Sequence, residues 1–402
     1  MNGRRAVVIG GSLGGLFAAN LLRASGWSVT VYERSVADLS SRGAGLGTHD
    51  SLFAVLRRIG ILVDDGIGIR IRSRLCLNPD GTVHCEVPIA SVATAWDCVY
   101  RALRSALPAP QYKGGMALDR VKQEQDVARA VFSNGAQVEA DLLIAADGIH
   151  STVRQQFIPD AKARYAGYVA WRGAVDAADV PPEWHRLTSE HMNFCFPEGE
   201  LALSVPMPAS ASGGAGRVQI TWFRPADLEI GLREWCIDDA GAGRRMSIAP
   251  GHVRPAVIDE LKQRAEILAP QMAALFRALQ NPVLQPIFDF EASRLVFGRV
   301  VLLGDAAFVA RPHVGTGVTK AALDAALLAD NLLACGSDLN TALKSYEAER
   351  LGYGRRLVAR GRELGAYLEA QLKPRDERRQ GELYRSPALV MRQFGAAGEA
   401  QA

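Results

Sequence analysis

The stretch from Arg5 to Glu33 constrains this chain more than any other part of it. A short apolar run, Arg5 to Ile9, is followed by Gly10-Gly11-Ser12-Leu13-Gly14-Gly15, an apolar helical stretch to about Leu22, and a β-branched run from Ser28 to Tyr32. Strand, glycine turn, helix and strand within about 30 residues make the size of a βαβ unit. In a dinucleotide site the first glycine makes a tight turn, the second lets the pyrophosphate approach the backbone, and the third lets the helix pack on the strand. The helix N-terminus then receives the phosphate charge. Gly10 and Gly15 fill the first and third positions, and Ser12 stands at the second, small enough to permit the approach. Glu33 ends the second strand, where an acid hydrogen-bonds a ribose hydroxyl. Taken alone it reads equally as a solvated strand-end carboxylate.

The same residues imitate a secretory signal, with Arg4-Arg5 ahead of a mostly apolar run. That reading explains none of the glycine positions, so the dinucleotide reading is preferred. No other segment approaches the roughly 20 apolar residues that span a bilayer, and no membrane is expected. The six cysteines are scattered, with no Cys-x-x-Cys pair, which points to free thiols and a reducing cytoplasm. The seven histidines are equally dispersed, and no metal is expected. A formal charge of +3, with no dense basic block between aromatics, gives no reason to expect nucleic acid. At 402 residues the chain is long enough for two intimately shared lobes.

Further on, Leu302-Leu303-Gly304-Asp305-Ala306-Ala307 ends a strand, and Pro312 and Gly315-Thr316-Gly317 then open an Ala-rich helix. A carboxylate at a strand end can accept hydrogen bonds from a polyol chain, which FAD has and NAD lacks. A glycine-lined helix N-terminus favours negative charge on a flavin carbonyl edge. A third element is Ala146-Asp147-Gly148-Ile149-His150-Ser151-Thr152-Val153-Arg154. Here Asp147-Gly148 turns the chain, Ser151 caps a helix, and Arg154 can return to brace the strand end.

The remaining pattern predicts a helix from Thr48 or Asp50 to Ile59, strands over 70–95, a helix from Asp97 to Leu107 and a buried strand Leu142 to Ala145. An antiparallel sheet follows over about 165–290, with a helix near Arg254 to Gln280. A strand at Arg299 to Leu303, a helix from Val318 to Cys335 and charged helix to about residue 372 come next. The last thirty residues read as a loosely ordered tail, and Ala209 to Gly216 as a surface loop. Trp171, Trp222 and Phe223 either line a pocket or fill a core, and alternation favours the core. The expected fold is α/β: a Rossmann-like FAD-binding domain over 1–70, 96–160 and 293–345, interleaved with a mixed-sheet substrate domain over 71–95 and 161–292. A helical C-terminal segment, 346–402, completes it.

In this order and spacing the three elements resemble the class A FAD-dependent aromatic hydroxylases of the para-hydroxybenzoate hydroxylase fold. The family patterns are the glycine fingerprint, Asp-Gly-x-x-Ser-x-x-Arg, and Gly-Asp-Ala-Ala followed by Pro and Gly-x-Gly. They fall on Gly10, Gly15 and Glu33; on Asp147, Gly148, Ser151 and Arg154; and on Gly304, Asp305, Pro312, Gly315 and Gly317. The Tyr165-to-Gly173 stretch, Phe308 to His313 and Lys320 are similar to the 2,6-dihydroxypyridine 3-hydroxylase branch. The sequence departs from the wider family at Phe308, where many members carry His, and at Thr316 and Thr319.

The resemblance implies bound FAD, transient NADH or NADPH, and dioxygen. A flavin C4a-hydroperoxide would hydroxylate a small aromatic, a hydroxylated pyridine being preferred. It also implies Ser12, Arg34 and Arg101 as further cofactor contacts. Pro312, whose carbonyl would face the ring, His313 as a proton relay and Arg311 against an anionic ring or the cofactor phosphates are the implied catalytic groups. A homodimer is left open. So are a carbocyclic phenol or urate-like substrate and a non-catalytic flavin-loaded binding module. A disulfide reductase would need a second fingerprint and a cysteine pair, and a flavin halogenase a Trp-x-Trp-x-Ile-Pro stretch; the sequence has neither.

Overall fold

The computed structural model describes residues 3–41, 45–62, 67–209, 216–228, 231–244 and 247–396. Most of the loop expected at Ala209 to Gly216 lies outside them. Ala6, Val7, Val8 and Ile9 are all buried, as a central parallel strand covered on both faces requires. Strand Arg5–Ile9 accordingly pairs in parallel with Ser28–Tyr32 on one side and Leu142–Ala145 on the other. Val300–Leu302 continues the sheet beyond Leu142–Ala145, so segments far apart in sequence build one six-stranded layer. Helix Leu13–Ala24 packs on it, and helix Gly317–Ala334 packs on that helix.

The second sheet has eight strands, antiparallel except where His191–Cys195 pairs in parallel with Ser73–Leu77. Its central strand, Arg164–Asp176, runs 13 residues, and alternation sorts its side chains. Val169, Trp171 and Val175 enter a core with Trp222 and Phe276, under helices Pro255–Arg264 and Pro270–Ala278. Tyr168 and Ala170 face the opposite way, with Phe194, Leu201, Leu203 and Phe223. Trp171 and Trp222 therefore belong to the far core, and only Phe223 of the three expected aromatics reaches the side where the two sheets meet. Register shifts between Tyr165 and Val169, where Gly167 has φ +82°.

Two sequence expectations need correction. The helix near Arg254 to Gln280 is two helices, because Pro270 lacks the N–H that a continuous helix requires and starts the second one instead. The C-terminal stretch is not loose up to residue 396. Helix Pro387–Gln393 docks with Met391 fully buried among the residues around Tyr168. The 32-residue helix Leu339–Ala370, about 48 Å long at 1.5 Å per residue, leans on both sheets. A three-stranded meander, Leu118–Glu124, Val127–Phe132 and Gln137–Ala140, forms a separate small sheet. No helix among the described residues is long and apolar enough to cross a membrane.

Candidate functional site

The glycine turn closes against backbone. Gly10 has φ +104°, and a Cβ there would lie 2.3 Å from the carbonyl oxygen of Ala146; a Cβ on Gly15 would lie 1.9 Å from that of Gly10. Both contacts are with main chain, so no side chain fits either position. Glu33 is buried; it accepts the Gly11 N–H at 2.7 Å and the Ser35 N–H at 2.9 Å, which ties the turn to the end of the second strand. Ser12, just ahead of helix Leu13–Ala24, makes no side-chain cap, so the first amides of that helix keep their donors.

Between the carboxyl ends of Arg5–Ile9 and Leu142–Ala145 the strand order reverses, and there an open α/β sheet binds ligands. A cleft of about 180 Å³ opens at this point, lined by Gly10, Arg34, Met116, Asp147 and His150 among others. Asp147 is held by the Val153 N–H at 3.3 Å, its Oδ1 has no partner, and burial raises its pKa. Arg101 does not line this cleft: its guanidinium is paired with Asp97 at 2.9 Å.

Ser151 caps helix Thr152–Phe157 by accepting the Arg154 N–H at 2.9 Å. The Arg154 side chain turns back and donates to the carbonyls of Ile149, Asp305 and Ala306, the last at 3.1 Å. It also lies over the Phe290 ring. A buried guanidinium thus staples the strand end at Asp147 to the turn Gly304–Ala306. Asp305 keeps more than half of its side chain accessible and pairs at 3.0 Å with the ammonium of Lys320, which is buried and also donates to the Phe308 carbonyl.

The segment Pro312–Val314 ends at Gly315, in the left-handed region at φ +66°. Thr316 precedes helix Gly317–Ala334 without capping it, and its buried Oγ1 has no partner. A Cβ on Gly317 would meet nothing within 4 Å. Open amides, an orphaned hydroxyl and free space at a helix N-terminus suit the carbonyl edge of a flavin. The unpartnered Asp147 Oδ1 and the accessible Asp305 carboxylate suit the rest of the dinucleotide, so the residues present fit FAD.

Beyond this loop the structure gathers what sequence reasoning saw only in part. His313 is buried and shares a hydrogen bond of 2.9 Å between Nε2 and the Tyr168 hydroxyl. Its ring packs against Phe223 and Phe394. Burial, then the charges of Arg311, Arg385 and Arg172, push its pKa down to about 3, so it is neutral at pH 7. Pro312 is half-buried, and its carbonyl accepts the Gly315 N–H at 2.9 Å.

Arg311 departs from expectation. It is fully buried, with Nε on Asp289 at 2.9 Å and Nη2 beside Glu369 at 2.7 Å, so its charge is balanced by protein carboxylates rather than left for a ring or phosphates, while its Nη1 has no partner. Arg362 reaches Asp289 from the other side at 2.7 Å. Asp289, Glu369 and Arg362 were missed; the readable signal was Gly361 and Gly365 inside a helix, where glycine needs a packing reason. A Cβ on Gly365 would stand 2.6 Å from the Tyr168 hydroxyl, and one on Gly361 would stand 2.9 Å from the Arg311 nitrogen.

His49 was missed too. It bridges the Thr319 hydroxyl at 2.9 Å and the Gly395 carbonyl at 2.8 Å. The C-terminal segment is bound to the same place, since Gly395 N–H donates to the His313 carbonyl and Arg74 donates to the carbonyls of Met391 and Phe394.

The chain is similar to known proteins in sequence and fold. Residues 283–361 match a family described as FAD binding domain, and 165–289 one described as FAD binding domain-like. The chain is 29% identical over 367 residues to 2,6-dihydroxypyridine 3-monooxygenase of Paenarthrobacter nicotinovorans, covering 91% of each chain. The solved structure of 2,6-dihydroxypyridine-3-hydroxylase from Arthrobacter nicotinovorans superposes with a TM-score of 0.86, at 28% identity, over 91% of this chain and 93% of that one. Klebsiella pneumoniae HpxO, complexed with FAD and uric acid, gives a TM-score of 0.75 at 26% identity, over 92% and 89%.

Proposed function

This chain belongs to the class A FAD-dependent aromatic hydroxylases, and from that premise we propose that it hydroxylates a small hydroxylated pyridine with NAD(P)H and dioxygen. The observation that carries the substrate reading is the buried, neutral His313–Tyr168 pair at the end of the 304–317 segment. A ring bearing both nitrogen and hydroxyl offers donors and acceptors to such a pair, and unpaired polar groups discriminate between substrates more strongly than shape does. The relative with matching coverage of both chains acts, by its name, on such a ring.

FAD, when bound, supplies electron transfer from the nicotinamide and activation of dioxygen. The residues that would hold it are the Gly10–Gly15 turn with Ser12 and Glu33, Arg34 and Asp147 in the cleft, Asp305, and the amides at Gly315–Gly317. Arg154 positions the Asp305 turn through its carbonyl contacts. Lys320 fixes the Asp305 carboxylate. With its low pKa, His313 orients a ring hydroxyl instead of storing a proton, and Tyr168 fixes which imidazole nitrogen carries hydrogen. Phe223, Phe394 and the docked C-terminal helix exclude water from the reacting ring.

The discontinuous division into a cofactor domain and a sheet domain for the substrate is part of the same proposal. So are a cytoplasmic location, supported by six unpaired thiols, and a homodimer.

The test follows consumption of reduced nicotinamide together with hydroxylated product by mass spectrometry, using 2,6-dihydroxypyridine, a hydroxynicotinate, salicylate and urate. The pyridines should give the tightest coupling. Turnover of salicylate with none on the pyridines would overturn the substrate reading and leave the flavin hydroxylase standing.

A further inference from the structure

Most buried arginines of this protein have a carboxylate. Arg311 has Asp289 and Glu369, Arg350 has Asp324, and Arg224 lies against Glu200. Arg172 has none. It makes no ion pair and no hydrogen bond among the described residues; its Nε is closed off from solvent and unpartnered. The residue nevertheless keeps some accessible surface. Burial alone moves its pKa, down to about 10, and no neighbouring carboxylate opposes that shift. The guanidinium is therefore charged at neutral pH.

Its position is set by strand alternation. In Arg164–Asp176, Tyr168 and Ala170 face the His313 side, and Arg172 is the next residue on that face. Across the sheet it pairs with Thr221 and Val283. The Arg172 charge is felt at His313, where it helps to disfavour protonation. A cation thus shares a sheet face with the neutral His313–Tyr168 pair, with no counter-charge among the described residues. Burying a charge without a partner is costly, and an arriving anion offsets that cost. Arg74 and Arg385, the other arginines acting on this side without a carboxylate, already donate to main-chain carbonyls, Arg74 to those of Met391 and Phe394 and Arg385 to that of Glu200.

We propose that Arg172 is the specificity-determining anchor for a negatively charged oxygen on the substrate ring, either an ionised ring hydroxyl or a carboxylate. The planar donor fork suits a two-oxygen or delocalised anion. This deepens the proposed function and rests on it, because it names the charge state of the ring that the site accepts.

The experiment uses the FAD-loaded full chain and its Arg172→Gln and Arg172→Lys variants. Binding is read from the flavin absorbance change with 2,6-dihydroxypyridine, 6-hydroxynicotinate and uncharged 2-hydroxypyridine. Arg172→Gln should weaken binding of the charged rings by about 10- to 100-fold and raise KM more than it lowers kcat. It should leave 2-hydroxypyridine binding unchanged. Arg172→Lys should recover part of the loss. A loss confined to 6-hydroxynicotinate identifies a carboxylate as the anion, and a loss with 2,6-dihydroxypyridine identifies a ring oxygen.

Thermal melting separates this role from a structural one. Removing an unpaired charge should leave ligand-free Arg172→Gln melting at or above wild type, whereas a structural arginine would melt lower when removed. Unchanged binding of every charged ring, or a lower melting temperature, overturns the proposal. Wild type that binds the charged rings through Arg172 but hydroxylates none of them overturns the functional reading instead.

Discussion

The glycine turn and the Tyr168–His313–Arg311 cluster are built on opposite principles. At the turn, backbone meets backbone: Gly10 against Ala146, Gly15 against Gly10, Gly11 held by Glu33. Everything needed lies within about thirty residues, apart from the neighbouring strand end. The cluster is made of side chains from four distant segments, with Tyr168, Asp289, Arg311 and His313, and Glu369 joined by ion pairs and one hydroxyl. A backbone device tolerates no added atom. A side-chain device can lose a member and still leave the chain path intact, at an energetic cost.

Adding one methyl group to each region should expose that difference most strongly. In Gly15→Ala the new carbon falls on a carbonyl oxygen fixed in a turn, so the protein should not be recovered as a yellow, FAD-loaded species. In Gly365→Ala the new carbon meets the end of the Tyr168 side chain and the Arg311 guanidinium, which can shift. That variant should retain FAD, with coupling to the substrate impaired. Flavin content after gel filtration reads both, and equal flavin loss in the two variants would break the distinction.

Asp289→Asn is the next largest. Asp289 is fully buried between Arg311 and Arg362, and removing its charge leaves the buried Arg311 guanidinium undercompensated. The expected loss is about 3–5 kcal/mol of stability, read from the urea midpoint, with flavin content per folded molecule unchanged. A variant as stable as wild type would mean that Glu369 alone satisfies Arg311.

The same contrast explains what could be read from sequence. The βαβ start, the Ser151 cap and the Gly304–Gly317 segment were legible because local spacing fixes local geometry. Alternation placed Trp171 and Trp222 correctly in a core. The pairing of Arg311 with Asp289 and Glu369 was not legible, because nothing local links residues 289, 311 and 369. The 118–140 meander was passed over because charged residues stand on both faces of its first strand, Asp119 on one and Arg120, Lys122 and Glu124 on the other, which hides the strand period. The docked C-terminal helix read as a tail because its anchors, His49 and Arg74, lie more than 300 residues away.

The smallest expected effect tests whether the cluster keeps His313 uncharged. Folded His313 stays neutral down to about pH 3, whereas an unfolded histidine takes a proton near 6.5. Between those values the unfolded chain binds more protons, so stability falls as pH drops; above about pH 6.5 the group contributes no pH dependence. At pH 5 the cost is about 2 kcal/mol, provided that the folded value stays below about 4. Arg311, Arg385 and Arg172 all push in this direction, and the raised pKa of Asp147 pushes in the opposite one. Asp147 is common to wild type and His313→Gln, so its effect cancels in a comparison of the two. The Gln variant should lose less stability than wild type between pH 7.5 and pH 5, with the gap opening only below about 6.5. Parallel stability profiles over that range would mean that His313 is protonated in the folded protein, and its role beside the ring would then be that of a cation.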